Sequence, residues 1–148
     1  MEIKEKLTEA MRAAMKANDD VARRTTRMAL AAIQQVEVDR QTKVNDAAVM
    51  GLLQKEIKNR REAIEEGRKA NRSDLIADNE AEIKVLEAFL PKAMPAEELR
   101  QLAQGAIAET AASAPSDMGK VMKVLMPQVA GRAAGDQVSA TVKELLTQ

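Results

Sequence analysis

Apolar residues recur along this chain at intervals of three or four, and no segment sustains an alternation of apolar and polar residues. An interval near 3.6 gathers apolar side chains on one face of an α-helix, whereas a half-buried strand requires an interval of two. Residues that favour helices, such as Ala, Glu, Lys, Gln and Met, are abundant, while a single Phe is the only aromatic residue. The sequence therefore predicts an all-α fold.

Turn and capping signals divide the chain into seven predicted helices. The predicted first helical residues are Ile3, Asp20, Pro95 and Asp136, and the predicted N-caps of the other three helices are Asn45, Ser73 and Ser116. Pro91 and Pro95 each lack a backbone N–H and bias the preceding residue away from the helical region. We therefore predict an N-terminal helical subdomain of about four helices over residues 1–92 and a small C-terminal three-helix subdomain over residues 93–148.

The composition excludes several kinds of site. The chain has no His and no Cys, so it lacks the side chains for Ser-His-Asp or Cys-His catalysis, for zinc bound through nitrogen or sulfur, and for disulfides. We expect no catalytic residue, no metal site and no cofactor. Its 23 basic and 23 acidic residues cancel, which disfavours binding to polyanions through net charge alone.

The first residues, Met1–Lys6, lack the apolar run of a secretory signal. No later stretch approaches about 20 consecutive apolar residues, the length that a membrane-spanning helix requires. The expectation is a cytoplasmic protein that does not enter a membrane.

Glu56 and Arg60 lie about one turn apart on the predicted third helix. At 100° per residue, Arg60 falls within the arc occupied by Val49, Leu53 and Ile64, and Glu56 lies at the edge of that arc. Because buried charges are usually paired, we interpret the two residues as a structural ion pair that fixes helix packing. The alternative is a functional arginine.

A basic run on the same helix includes Lys55, Lys58 and Arg61. Regularly spaced cations of this kind are able to follow the phosphates of a nucleic acid. Four glutamates interrupt the run: Glu56, Glu62, Glu65 and Glu66. The favoured interpretation is a solvated face of mixed charge, and a phosphate-binding surface is the alternative.

A second group of cations surrounds the predicted sixth helix. Lys120 and Lys123 project opposite the apolar stripe, and Arg132 follows in a glycine-flanked turn whose backbone N–H groups are candidates for binding an anion. Read from the residues alone, the simpler interpretation is a solvated helix face followed by a glycine cap. The functional alternative is a site for an anion or a phosphate backbone.

Five methionines recur at helical spacing. Such residues are usually core fillers, although exposed methionines also form adaptable grooves for partners. We predict that they lie in the core: Met15, Met28, Met118, Met122 and Met126.

The order and spacing of several short motifs resemble the GatB/YqeY family over nearly the whole chain, specifically its stand-alone YqeY-like form. The C-terminal motifs are Gly131-Arg132-Ala133, Val138-Ser139 and Val142-Lys143-Glu144-Leu145, after the segment of helix six. The N-terminal motifs are Arg27-Met28, Lys55-Glu56-Ile57, Arg60-Arg61-Glu62-Ala63-Ile64, Arg72-Ser73-Asp74-Leu75, Glu82-Ile83 and Phe89-Leu90-Pro91.

The resemblance implies a helical N-terminal part followed by three C-terminal helices. The related region of the glutamine-dependent amidotransferase B subunit is a tail that engages transfer RNA, and the catalytic part of that enzyme is much longer than 148 residues. No catalytic residue carries over, so the family's carbon–nitrogen ligase label does not describe an activity of this chain alone.

Two functional hypotheses follow. The first is an accessory module that binds tRNA or a tRNA-processing enzyme, with Lys120, Lys123 and Arg132 as the leading contacts. The cations of helix three form a second candidate surface in this hypothesis: Lys55, Lys58 and Arg61. The alternative is a helical protein-interaction adaptor that uses exposed apolar positions such as Val124 and Met126.

Overall fold

The computed structural model describes residues 2–148. This range contains seven α-helices and one short 3-10 helix, without any β-strand, which confirms the all-α prediction. The helices are α1 (Ile3–Ala17), α2 (Asp20–Arg40), α3 (Asp46–Lys69), α4 (Ser73–Glu87), α5 (Ala96–Thr110), α6 (Met118–Val129) and α7 (Gly135–Leu146). Within the same range, every helix is too short or too polar to cross a membrane.

Two compact units divide the chain between Pro91 and Lys92. In the first unit, α1 packs against α2, α3 packs against α4, and α2 also contacts α4. Its apolar core includes Leu7, Ile33, Leu53 and Leu86, all of which are almost completely buried. The amphipathic stripes of the four helices meet there, so the free energy of burial depends on tertiary packing of all four.

Side-chain caps explain where two of the four helices of the first unit begin. The Asp19 side chain accepts a hydrogen bond from Ala22 N at 3.1 Å, and the Asn45 side chain accepts one from Ala48 N at 2.9 Å. The prediction of a Ser73 cap is wrong, because Ser73 is itself the first residue of α4. The Asp74 carboxylate instead accepts two bonds from the Arg72 guanidinium, at 3.0 and 3.1 Å.

The second unit is formed by α5, α6 and α7, each of which packs against the other two. Its core includes Ala103, Val121, Leu125, Val138 and Val142, and all of these are completely buried. Buried polar or charged residues in the described chain all belong to the first unit. The second unit therefore rests on an apolar core without a buried ion pair.

Three predicted helix starts in the second unit are wrong by one or more residues. Pro95 precedes α5 as its N-cap, and α7 begins at Gly135, one residue before the predicted start. Ser116 lies in the 3-10 helix Pro115–Asp117 and caps nothing. Asp117 holds this turn, because its carboxylate accepts bonds from Ser113 N at 2.9 Å and Ala114 N at 3.2 Å.

The methionine prediction is wrong for three of the five residues. Met15 and Met28 are about half exposed, and Met126 is 38% exposed. Ala14, next to Met15, and Ala29, next to Met28, are buried instead, because the buried faces of α1 and α2 include the alanine positions and not the methionine positions. Met118 and Met122 are partly buried against the core of the second unit.

Candidate nucleic-acid interface

Arg60 lies inside the first unit, where it is only 7% exposed. One guanidinium nitrogen donates to the Glu56 carboxylate at 2.7 Å and to the Glu56 carbonyl at 3.1 Å, and Nε donates to Glu82 at 3.0 Å. These bonds satisfy most of the donor capacity of a fixed, planar cation. The geometry therefore assigns Arg60 to the interior of the fold and leaves it no surface for a ligand.

Glu82 extends this ion pair across three helices. Its second carboxylate oxygen accepts a bond from Arg24 Nε at 3.0 Å, so α2, α3 and α4 are joined through one carboxylate. Sequence reasoning missed both Glu82 and Arg24. Glu82 precedes the buried Ile83 at the edge of an apolar stripe, which is a detectable signal. Its pairing with Arg24, 58 positions away, has no local signature.

The second candidate surface on α3 is exposed and partly occupied by ion pairs. Arg61 approaches Glu87 at 3.4 Å, and both side chains are more than half exposed. Lys58 is also exposed but has a partner within the protein. Lys55 is exposed and forms no ion pair with any other described residue. One cation of the three is therefore uncompensated, which fits a mixed-charge face.

The α6 surface has a different charge pattern. Its 12 residues include Lys120 and Lys123 but no acidic residue. Val121, Leu125 and Val129 are buried on one side, and both lysines are exposed on the opposite side. Lys123 makes no ion pair with another residue in the 2–148 range. We call the exposed residues Gly119, Lys120, Lys123, Met126 and Pro127 the α6 face.

Among residues 2–148, Asp117 is the acidic residue that forms an ion pair with this face. Its carboxylate lies 3.7 Å from Lys120 Nζ, a long contact for a side chain that is half exposed. Bonds from the Ser113 and Ala114 N–H groups are the main reason that the pKa of Asp117 lies below its ordinary value, with Lys120 a smaller cause. The Asp117 carboxylate is therefore held mainly by the backbone, and its long, half-exposed ion pair with Lys120 can be exchanged for an external anion.

Arg132 does not join these lysines. Its two terminal nitrogens donate to the Glu98 carboxylate at 2.9 and 3.1 Å, and its Nε donates to the Lys92 carbonyl at 3.1 Å. Its backbone also takes part, since Arg132 N donates to Val129 O and Arg132 O accepts from Met94 N at 2.8 Å. Arg132 thus attaches the segment before α5 to the turn after α6. Because the Arg132 N–H already donates to the Val129 carbonyl, it is not available to bind an anion.

The backbone conformation of two residues produces the turn between α6 and Arg132. Ala130 and Gly131 both adopt a positive φ, 49° and 79°, which ends α6 in the left-handed region. Arg132 follows this cap, beyond the last residue of α6, Val129, which is about 14 Å along the helix axis from Lys120 by the rise of 1.5 Å per residue. Two of the three predicted C-terminal contacts therefore share a face, and the third lies at the other end.

Metal binding has no visible basis in the described residues. Across residues 2–148, no three acidic side chains converge in a way that would hold a metal ion. The exposed lysines of α6 are suited to electrostatic contact with an anion.

Comparison with known proteins covers both units. Residues 4–146 match the family described as Yqey-like protein, which is related to the tail of the amidotransferase B subunit. A protein of Lachancea thermotolerans named altered inheritance of mitochondria protein 41, mitochondrial, is 38% identical over 57% of this chain and 46% of its own length. The protein of the same name from Vanderwaltozyma polyspora is 34% identical over 62% of this chain and 51% of its own length.

A Schizosaccharomyces pombe protein, named only as uncharacterized, is 37% identical over 61% of this chain and 70% of its own length. The matched region is thus about half the length of each of the two yeast mitochondrial proteins. Their names place those relatives in mitochondria, which does not directly fit the cytoplasmic expectation for this chain. The match over residues 4–146 includes both the four-helix and the three-helix unit, and the chain belongs to the YqeY-like protein family.

Proposed function

We propose that this protein is a tRNA-associated accessory module whose α6 face contacts phosphates. The observation that carries the proposal is the pair Lys120 and Lys123, exposed on one side of a helix that has no acidic residue. Phosphate contacts depend on lysine and arginine side chains that are not already neutralised within the protein. Relationship to the amidotransferase B tail supports tRNA as the nucleic acid.

The spacing of the two lysines suits this role. Side chains three residues apart on a helix lie about 5–6 Å apart at Cβ. Each lysine has a flexible stem of four carbons, so two ammonium groups from one face can reach neighbouring phosphates. Binding of this kind orients a module on its RNA and needs no catalytic residue.

Salt titration of tRNA binding tests the proposal directly. Fluorescence anisotropy of labelled tRNA should show affinity that falls as salt rises, because each neutralised phosphate releases counterions. The double variant Lys120→Ala/Lys123→Ala should flatten the log–log salt slope by about 1.5, since each phosphate contact contributes about 0.7–0.9. Circular dichroism should show unchanged helicity, because both side chains lie outside the core.

A matched pair of controls separates the candidate surfaces. Lys55→Ala removes an exposed, unpaired lysine of the first unit and should leave the slope unchanged. Arg61→Ala should also have little effect, because its charge already lies beside Glu87. A wild-type protein that does not bind tRNA at low salt would refute the proposal.

The alternative of a protein-interaction adaptor is supported by exposed apolar side chains. Met126 is 38% exposed on the α6 face, and Met15, Met28, Val38 and Leu75 are exposed in the first unit. Val124, the other apolar position predicted for such a surface, is partly buried and packs against the core of the second unit. On the α6 face, a single exposed methionine provides little apolar area for a partner, so phosphate contact is the better-supported function of that face.

A further inference from the structure

We infer that the α6 face recognises the helical stems of RNA through the shape of the minor groove, and not unpaired nucleotides. The inference rests on the proposed function and specifies the kind of RNA surface that Lys120 and Lys123 meet. It follows from the side chains that this face has and from those that it lacks.

Recognition of unpaired bases depends mainly on stacking. Proteins that bind single strands place bases on aromatic rings or on arginine planes. The chain has no Trp, Tyr or His, and its single Phe, Phe89, packs against the core of the first unit. The two arginines of the second unit, Arg100 and Arg132, are held in ion pairs with Glu144 and Glu98. The second unit therefore offers no stacking platform.

Reading of base edges is limited by the few planar polar groups on this helix. Bidentate contacts to bases come from arginine, lysine, asparagine or glutamine, and lysine is a point charge without the planar fork of arginine. Gln128 is the one amide side chain on α6, and its nitrogen donates to the Val124 carbonyl at 3.3 Å. Contacts from this helix are therefore expected mainly at the sugar–phosphate backbone, whose course follows groove shape.

The contour of the face fits the wide, shallow minor groove of an A-form duplex. Gly119 is exposed, and no heavy atom lies within 4 Å of the position that a Cβ would occupy there. A glycine in a helix costs stability relative to alanine, and packing within the protein gives no reason for this one. Its position next to the two lysines lets an RNA backbone approach the helix closely.

Pro127 supplies an acceptor on the same face. It lies inside α6 and has no N–H, so the carbonyl of Lys123 lacks its usual helical donor. A helical carbonyl without its donor can accept a hydrogen bond from a ribose 2′-hydroxyl, which lines the RNA minor groove and is missing from DNA. The face thus combines two cations, an open glycine position and one carbonyl without its helical donor.

Three labelled probes test the inference with the full chain: an RNA hairpin with an uninterrupted stem, an unpaired RNA strand of the same length, and a DNA hairpin of the same sequence. We expect the RNA stem to bind at least about tenfold more tightly than the unpaired strand, and the DNA hairpin to bind more weakly than the RNA stem. Gly119→Leu should weaken binding to the RNA stem, because the new side chain blocks the close approach.

Gly105→Leu is the matched control, since Gly105 is also helical and exposed, with no heavy atom within 4 Å of a Cβ position. It should bind the stem like the wild type. Equal or tighter binding of the unpaired strand would overturn the inference while leaving RNA binding intact. Failure of all RNA probes, including whole tRNA, would overturn the proposed function itself. Unchanged binding by Gly119→Leu would contradict the placement of the stem on α6.

Discussion

The two units of this protein use their charges differently. The first unit buries Arg60 between Glu56 and Glu82 and connects that cluster to Arg24, so its charged groups determine how three helices pack. The second unit buries apolar residues alone within the described chain and leaves Lys120 and Lys123 exposed on an acid-free helix. Equal numbers of acidic and basic residues in the whole sequence conceal this difference, because a paired charge and an exposed charge count the same.

Removal of Arg60 should have the largest effect on stability. Arg60→Ala leaves Glu56 without its cation and leaves Glu82 with Arg24 alone, and it should lower the free energy of unfolding by about 3 kcal/mol. Urea denaturation measures this loss of free energy, and hydrogen exchange of the α3 amides shows whether it is located at α3. Lys55→Ala, on the same helix, should change stability by less than about 0.5 kcal/mol. Equal stability of the two variants would show that the buried cluster does not support the first unit.

Two adjacent threonines sharpen the contrast within the first unit. Both Thr25 and Thr26 are completely buried, but Thr26 Oγ1 donates to the Ala22 carbonyl at 2.7 Å, whereas Thr25 Oγ1 has no hydrogen-bond partner among residues 2–148. Thr25→Val should therefore raise the free energy of unfolding by about 1 kcal/mol, because it removes an unsatisfied hydroxyl.

Thr26→Val is the matched variant, and it should lower the free energy of unfolding or leave it unchanged, because it removes a bonded hydroxyl. Both variants are measured by thermal and urea unfolding. A loss of stability in Thr25→Val would mean that its hydroxyl is satisfied in solution.

In the second unit, Arg132 should behave as a structural residue and not as an RNA contact. Arg132→Ala removes two bonds to Glu98 and one to the Lys92 carbonyl, and because the pair is partly exposed the expected loss is about 1 kcal/mol. Limited proteolysis should then cut faster near residues 92–95 than in the wild type. A flatter salt slope for tRNA binding, with unchanged proteolysis, would return Arg132 to the phosphate-binding surface.

Acidification should weaken both units through different carboxylates. The pKa of Glu37 is lowered, first by the hydrogen bond from Lys4 and then by the bond from Val44 N. The pKa of Asp117 is lowered by the N–H groups of Ser113 and Ala114. A lowered pKa in the folded state stabilises the fold above the unfolded-state pKa, and this contribution disappears as pH falls through the folded-state value.

In the folded protein, the pKa of each carboxyl lies below its ordinary value, which is 4.5 for Glu37 and 3.8 for Asp117. Glu37→Gln should reduce the acid sensitivity of α2 amides in hydrogen exchange, and Asp117→Asn should do so for α6 amides. An unchanged pH profile in either variant would show that the carboxylate does not stabilise its unit.

Local pattern accounts for much of this fold, and long-range pairing accounts for what sequence reasoning missed. Apolar spacing is a property of neighbouring residues, so it predicts the all-α class and places Arg60 on a buried arc. The caps at Ser73 and Ser116 are local errors, because Ser73 is the first residue of α4 and Ser116 lies in a 3-10 turn. The pairing of Arg132 with Glu98, 34 positions away, depends instead on three-dimensional proximity, as the pairing of Glu82 with Arg24 does.

Exposed cations of α6, and not those of α3, should meet the RNA. Lysine acetylation with and without tRNA, read by mass spectrometry, compares both surfaces in one sample of unmodified protein. Binding through α6 should protect Lys120 and Lys123 while Lys55 reacts at the same rate in both conditions. Protection of Lys55 with no protection of Lys120 and Lys123 would place the RNA on α3 instead.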